Sequence, residues 1–446
     1  MLKFLASFLL LGHGLAVAQP TSPAPTNVSP PNELKIVYFG SSVPFGQGAT
    51  NKYGYLSRYS ALLAQRAATR QGAAWTTANI SVPGDNTVKV LARWNRDLVP
   101  QNARYVLFAL ALGNEGIHEG GCAKLDQFKT NMQQLIGQAR ALGLVPVVTN
   151  SYTRNDYTAQ DYAYIRQMNL LLQAWAVPTV NLLGAVDDGA GHWAPGYWDD
   201  ALHPNDLGHA ELFHALVPSL FDALRAGKPL PRWQATSYVR FSGRQPQALR
   251  LVPEALVHPF TQVISFRTTA TGRLLELQDS TSTGSLRIDQ RGTLTYTSAK
   301  TGHLTSLARV NDGEWHHVSL THYFARGETI LYLDSTRVGS LREQLRTRQL
   351  TVGGPGTPHG VQYRNWLFYR SGMNSDEIKA LAADSLLKSS LELYAPLDGR
   401  RVAATDSLAN FAQSLNRLIR VGTSPASPPK AGRRGVASPP VLIRSR

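Results

Sequence analysis

The apolar positions of this chain fall into two regimes. Between residues 34 and 224, continuous apolar runs at 34–39, 104–112, 145–149 and 178–182 alternate with stretches in helical period at 56–69, 87–98, 125–142, 159–175 and 207–224. A strand that is apolar at every position has no solvent face, so these runs predict a parallel sheet with helices on both sides. After residue 238 the period falls to two. Short alternating segments at 238–241, 262–268, 273–278, 285–288, 293–297, 316–323, 329–333, 350–352, 366–369 and 391–396 are separated by turn residues, and one helical stretch interrupts them at 375–387. That pattern predicts an all-β jelly-roll sandwich. The polar, proline-bearing residues 229–237 are the expected linker, so an α/β three-layer domain at 34–228 should precede a sandwich at 238–398.

The termini change this picture. Residues 1–18 carry an early Lys3, an apolar core and a small-residue end at Ala16-Val17-Ala18, the pattern of a signal peptide cleaved after Ala18. The apolar run is shorter than the ~20 residues a membrane span needs. Export to a secreted, periplasmic or cell-surface location is expected, with residues 19–33 as a flexible leader. The formal net charge is +15, but seven cations and no acid follow from Arg417 onward. Much of the excess therefore belongs to a Pro/Ser-rich tail, residues 399–446, expected to be disordered, and specific nucleic-acid binding is not expected. Cys122 is the only cysteine, which excludes an intramolecular disulfide; it is expected to be structural.

Candidate chemistry lies where the first apolar run ends. Gly40-Ser41-Ser42 leads into the Gly/Pro-rich loop at 43–49, which puts a hydroxyl at the carboxyl edge of a parallel sheet, where α/β folds keep their sites. A serine acts as a nucleophile only with a base and an oxyanion hole. Asp200-Ala201-Leu202-His203, in a loop rigidified by Pro204, offers a base with an orienting carboxylate three residues away. Asp199 and His209 are neighbouring competitors, and Ser41 is the competitor of Ser42. Trp193, Tyr197 and Trp198 precede this loop and serve either loop packing or sugar stacking. His118 and Glu119 form no metal cluster with other ligands in the sequence, and no cofactor is expected.

With Ser42, Asp200 and His203 in place, residues 34–224 resemble the SGNH hydrolases, the GDSL-type esterases and lipases. The nucleophile block Gly-Asp-Ser is Gly40-Ser41-Ser42 here, with Ser41 replacing the aspartate. The second block falls on Gly84, and the third, usually Gly-x-Asn-Asp, on Gly113-Asn114-Glu115, with the glycine adjacent to the asparagine and Glu115 where aspartate is usual. The last block, Asp200-Ala201-Leu202-His203, matches in full. The resemblance implies a flavodoxin-like sheet order and a catalytic set of Ser42, Asp200 and His203. It also implies an oxyanion hole from the Ser42 and Gly84 backbone N–H groups and the Asn114 amide.

In the second region, Gly313-Glu314-Trp315-His316 and Leu331-Tyr332-Leu333-Asp334 resemble the laminin-G-like, concanavalin-A-like sandwiches. Trp315 is expected in the core, and no calcium site is expected. Such sandwiches bind glycans, bind proteins or space domains. The pairing points to an exported serine esterase for acylated polysaccharide or small esters, O-acetyl groups fitting best, with glycan or cell-surface binding through the sandwich. The alternatives are a lipase or lysophospholipase of the same family, or a non-catalytic glycan-binding adhesion protein.

Overall fold

The computed structural model describes residues 30–234, 237–241, 248–298, 300, 302–398 and 407–421. The expected signal peptide and most of the leader lie outside them, as do residues 399–406 and 422–446 of the expected tail.

The first region is a five-stranded parallel sheet built from β1 (Asn32–Gly40), β2 (Thr76–Asn79), β3 (Ala103–Ala109), β4 (Val145–Thr149) and β5 (Thr179–Val180), in the order β2-β1-β3-β4-β5. The continuous apolar run of β1 divides between two cores, because successive side chains point to opposite faces. Ile36 and Tyr38 pack with Tyr59, Leu63 and Phe221, whereas Val37 and Phe39 pack with Phe128, Met132 and Ile165. Helices α1 (Ser42–Phe45), α2 (Tyr55–Ala68), α3 (Thr87–Ala92), α4 (Ile117–Ala141), α5 (Ala159–Ala174), α6 (Leu183–Val186), α7 (Asp206–His214) and α8 (Leu220–Arg225) complete the layers. The expected helix at 207–224 is two helices, since Pro218 cannot continue the first. No helix among the described residues is long and apolar enough to cross a membrane.

The second region is the expected sandwich. One sheet takes the order β12 (His303–Arg309), β11 (Thr293–Thr297), β10 (Thr283–Ile288), β9 (Gly272–Gln278), β16 (Gln349–Gly353), β7 (Ala248–Leu251), β20 (Leu418–Val421), β19 (Ser407–Leu408). The other runs β15 (Thr336–Arg342), β14 (Glu328–Leu333), β13 (His316–Tyr323), β8 (Phe260–Arg267), β17 (Gln362–Tyr369), β18 (Leu391–Ala395), with β6 (Val239–Arg240) also on β17. Helix α9 (Ser375–Ala382) covers part of the outer face of the second sheet.

Three expectations need correction. The sandwich does not end at residue 398, because Leu418–Val421 pairs with Ala248–Leu251 and buries Leu418 in the core. The charge of this segment hid the strand, because Arg417 and Arg420 frame the buried Leu418, and Arg420 lies half-buried opposite Leu249. Trp315 is only half-buried, with its ring against arginine side chains. Cys122 is exposed near the start of α4 and packs no core.

The two regions are in direct contact. The Ser390 N–H donates to the Thr179 carbonyl at the free edge of β5, and the Gly372 N–H donates to the Gly184 carbonyl, both at 3.1 Å. Asn181 donates to Glu377 (2.7 Å), and Arg166 pairs with Asp376 (2.8 Å).

Candidate active site

Strand β1 ends at Gly40, and the chain turns at once into the one-turn helix α1, whose first residue is Ser42. A first-turn residue has no intrahelical acceptor for its N–H, so the Ser42 amide is free to meet a ligand atom. Ser42 keeps 8% of its surface exposed and Ser41 none, which separates these neighbours.

The Ser42 Oγ lies 3.0 Å from His203 Nε2, and His203 Nδ1 lies 2.9 Å from both carboxylate oxygens of Asp200. The loop that carries them is held from several sides. The Leu202 and His203 N–H groups donate to Asp200 Oδ1 (2.7 and 2.8 Å), and the Ala201 carbonyl accepts from the Asn155 N–H (2.8 Å) and the Trp193 indole N–H (3.3 Å). Asn205 then caps α7 by accepting from Leu207 and Gly208. Burial pushes the Asp200 carboxyl up, but the bonds from His203 and from the Leu202 and His203 N–H groups outweigh it, so its pKa lies below the ordinary value. An ionised acceptor facing Nδ1 keeps the Nδ1–H tautomer and leaves Nε2 as the acceptor toward Ser42.

The neighbours resolve differently. His209 accepts from the Tyr55 N–H (3.2 Å) and bonds the Gln47 carbonyl (2.8 Å); burial lowers its pKa to about 4, so it is a neutral structural group. Trp193 is buried and stacked on Tyr152, and Trp198 is 45% exposed beside the loop. Packing and surface roles thus fall on different tryptophans.

Gly84 lies in the loop between β2 and α3 at φ +78, a left-handed conformation that favours glycine, with open space around its Cβ position. The Val82 N–H donates to the Gly40 carbonyl (3.0 Å), so this loop runs along the turn that holds Ser42. Asn114, after β3, donates through its amide to the Asp85 carbonyl (3.0 Å) and accepts from Arg154 Nη1 (3.4 Å), which joins it to the Gly84 loop. One amide N–H of Asn114 remains for a further acceptor.

The departures from the family pattern have physical reasons. A Cβ on Gly113 would fall 2.4 Å from the Tyr157 hydroxyl and 2.8 Å from Arg154 Nη1, so glycine must precede Asn114 here. Glu115 is buried and accepts from the Thr87 N–H (3.0 Å), the Thr87 hydroxyl (2.5 Å) and Gln127 (2.7 Å). Its longer side chain clamps the start of α3 and so fixes the far end of the Gly84 loop. Asp85, buried, is paired to Arg93 at 2.6 Å, and Arg93 lies over the Phe39 ring. Sequence reading missed Arg93, Arg154 and the clamp. Arg154 had one available signal, its position just past the carboxyl end of a central strand.

A serine, an imidazole and a carboxylate linked at 2.9–3.0 Å at the carboxyl edge of a parallel sheet define a serine-hydrolase type of site. The model of the GDSL-like lipase/acylhydrolase family matches residues 38–211, and that of the laminin G domain matches residues 266–367. The chain carries a GDSL-like lipase/acylhydrolase domain, a hydrolase of the SGNH type, followed by a laminin G domain.

Among solved structures, a mutant of an acetylxylan esterase from Geobacillus stearothermophilus is similar at 16% identity over 42% of this chain and 93% of its own, TM-score 0.35. An alpha/beta hydrolase enzyme from the metagenome of Lake Arreo, Spain, is 19% identical over 42% and 94%, TM-score 0.34. A SAP-like pentraxin from Limulus polyphemus is 14% identical over 33% and 80%, TM-score 0.27. No curated protein matches the sequence.

Proposed function

We propose that this protein is an exported serine esterase that removes acyl groups, O-acetyl above all, from polysaccharide through an acyl-enzyme on Ser42. The observation that carries the reading is the unbroken chain Ser42 Oγ, His203, Asp200 at 3.0 and 2.9 Å. His203 Nε2 takes the Ser42 proton as Oγ bonds to the ester carbonyl carbon. The imidazolium, held by ionised Asp200, returns that proton to the leaving alkoxide as the ester C–O bond breaks. Water, deprotonated by His203, then releases the carboxylic acid and restores Ser42.

The tetrahedral oxyanion needs donors. The Ser42 and Gly84 N–H groups and the remaining Asn114 amide N–H are assigned to it, and one such donor is worth ~2.7–4 kcal/mol of barrier. Export rests on residues 1–18, and the polymer rests on the joined sandwich.

A second reading, a lipase or lysophospholipase, is favoured by apolar side chains exposed beside the site: Phe45, Val82 and Leu202 are 37%, 43% and 38% exposed. Hydrolysis of p-nitrophenyl esters of graded chain length separates the two. We expect acetate to be the best substrate, with turnover down by about 10³-fold or more in Ser42→Ala and His203→Ala. A preference for long acyl chains would favour the lipase, and unchanged turnover in Ser42→Ala would overturn both.

A further inference from the structure

At the end of the sandwich away from the hydrolase domain, one sheet face gathers cations that form no ion pair among the described residues. Arg240 of β6 and Arg267 of β8 both stand opposite Gln362 of β17, and Arg364 follows two positions later on the same face. The Arg267 guanidinium donates twice to Gln362 Oε1 (3.0 and 2.7 Å), a neutral acceptor. The guanidinium carbons of Arg364 and Arg267 lie 4.2 and 5.2 Å from the Trp315 ring centroid, and Arg267 is also 5.9 Å from the Tyr238 ring.

Arg364 Nε is buried without a partner. Among the described residues no carboxylate reaches ion-pair distance of Arg240, Arg267 or Arg364, although the field of Asp384 acts on Arg364. The adjoining stretches 235–236 and 242–247 contain no Asp or Glu. Two guanidiniums against one indole repel each other, and an unpaired buried donor is costly, so the cluster is stabilised when an anion joins it.

The location fits a binding role. Trp315 sits just before β13, whose last residue, Tyr323, packs on Gly372 where that glycine meets Gly184. Eight strand residues span roughly 25 Å, so the cations face outward well clear of the docked domain.

We propose that this face binds a carboxylate-bearing polysaccharide, with uronic acid residues meeting Arg240, Arg267 and Arg364 and sugar rings meeting Tyr238 and the Trp315 edge. A guanidinium carries its N–H groups in one plane, the geometry that meets a planar carboxylate twice. The arginines are spread one per strand, ~4.8 Å apart from strand to strand, which matches single charges repeated along a chain better than one dianion. The inference rests on the esterase reading for its choice of polymer and names the class of polymer that the esterase would work on.

The test is binding of the full chain, carrying Ser42→Ala, to polygalacturonate at low salt, with neutral xylan and dextran sulfate as the other arms. We expect polygalacturonate to bind and salt to weaken it. Arg364→Gln, and the double change Arg267→Ala with Arg364→Ala, should each reduce affinity by about tenfold or more. The same arginine variants in the Ser42-bearing chain should turn over p-nitrophenyl acetate like the parent, which shows that they fold. No polygalacturonate binding, undiminished binding in both variants, or binding confined to dextran sulfate or xylan would overturn the inference. Failure of the esterase reading is seen separately, as absent ester turnover by the parent chain.

Discussion

Asp200 and Glu377 are carboxyls at two different borders of the same parallel sheet, and their surroundings hold them in opposite states. Asp200 has a side chain 52% exposed, accepts from His203 and from backbone N–H groups, and is pulled below its ordinary pKa. Glu377 is fully enclosed where the sandwich meets β5, and burial raises it to about 7 despite bonds from Asn374 and Asn181, with Asp376 and Asp187 raising it further. The carboxyl edge keeps its charge available and its Gly84 loop open. The β5 edge uses polar groups to weld two domains, and there exposure would be a defect. A Cβ on Gly184 would come within 1.9 Å of the Gly372 carbonyl oxygen, an approach that leaves no room for a layer of water. The sandwich is therefore held at a set place on the hydrolase domain, so the face proposed to bind polymer and Ser42 keep a fixed separation instead of the range a free tether would give.

The largest expected effect is at the docking border. Arg370 donates to Glu392 (2.7 Å), to the His214 carbonyl (2.9 Å) and to the Leu256 carbonyl, with both charged side chains almost wholly buried. Arg370→Leu takes the cation out of this buried pair and leaves the Glu392 carboxyl behind, at a cost of about 3–5 kcal/mol. Denaturant unfolding should show a loss of that size, while p-nitrophenyl acetate turnover per folded molecule stays near the parent value. An equal fall in turnover would mean that the two borders are not separable.

Asn114→Ala is the converse. It should lower kcat by about 10²–10³-fold with KM little changed, because the amide acts on the developing oxyanion, and denaturant stability should move by much less. A change confined to KM would remove Asn114 from the proposed oxyanion hole.

The same contrast governs what could be read from the sequence. The strand-end Ser42 and the short Asp-x-x-His pair each carry a local pattern, and the 161-residue reach from His203 to Ser42 was bridged by the resemblance of both blocks to one family. The apolar runs and their change of period placed both domains for the same reason. Residues that act across long separations gave no such signal. Glu115 reaches Thr87, Arg370 reaches His214, and Glu377 reaches Asn181 only after the sheets have formed. Arg420 looked like part of a solvated basic tail because only four residues of strand lie among the charges, and Leu418 fills the core while Arg420, two positions on and on the same side of β20, is half-buried opposite Leu249. Trp315 was misplaced by its type, since a large aromatic is usually core, and only the arginines around it show its surface role.

Taken per pH unit, the smallest expected effect is the pH response of Glu377, and it tests the comparison most directly. An unfolded glutamate titrates near 4.3. With the folded value raised to about 7, the folded state holds the extra proton between those limits, so this group makes stability fall as pH rises from about 4.3 to about 7. Buried histidines act in the opposite sense: burial lowers His209 to about 4 and His322 to about 3, so they lose stability as pH falls below about 6.5. The whole-protein curve therefore mixes both trends, and the difference between parent and Glu377→Gln isolates one of them. That difference should shift against the parent by at most ~1.4 kcal/mol per pH unit inside the window and level off above it. A difference that is flat with pH would place Glu377 in the ionised state at the interface, and the opposition between the two borders would be lost.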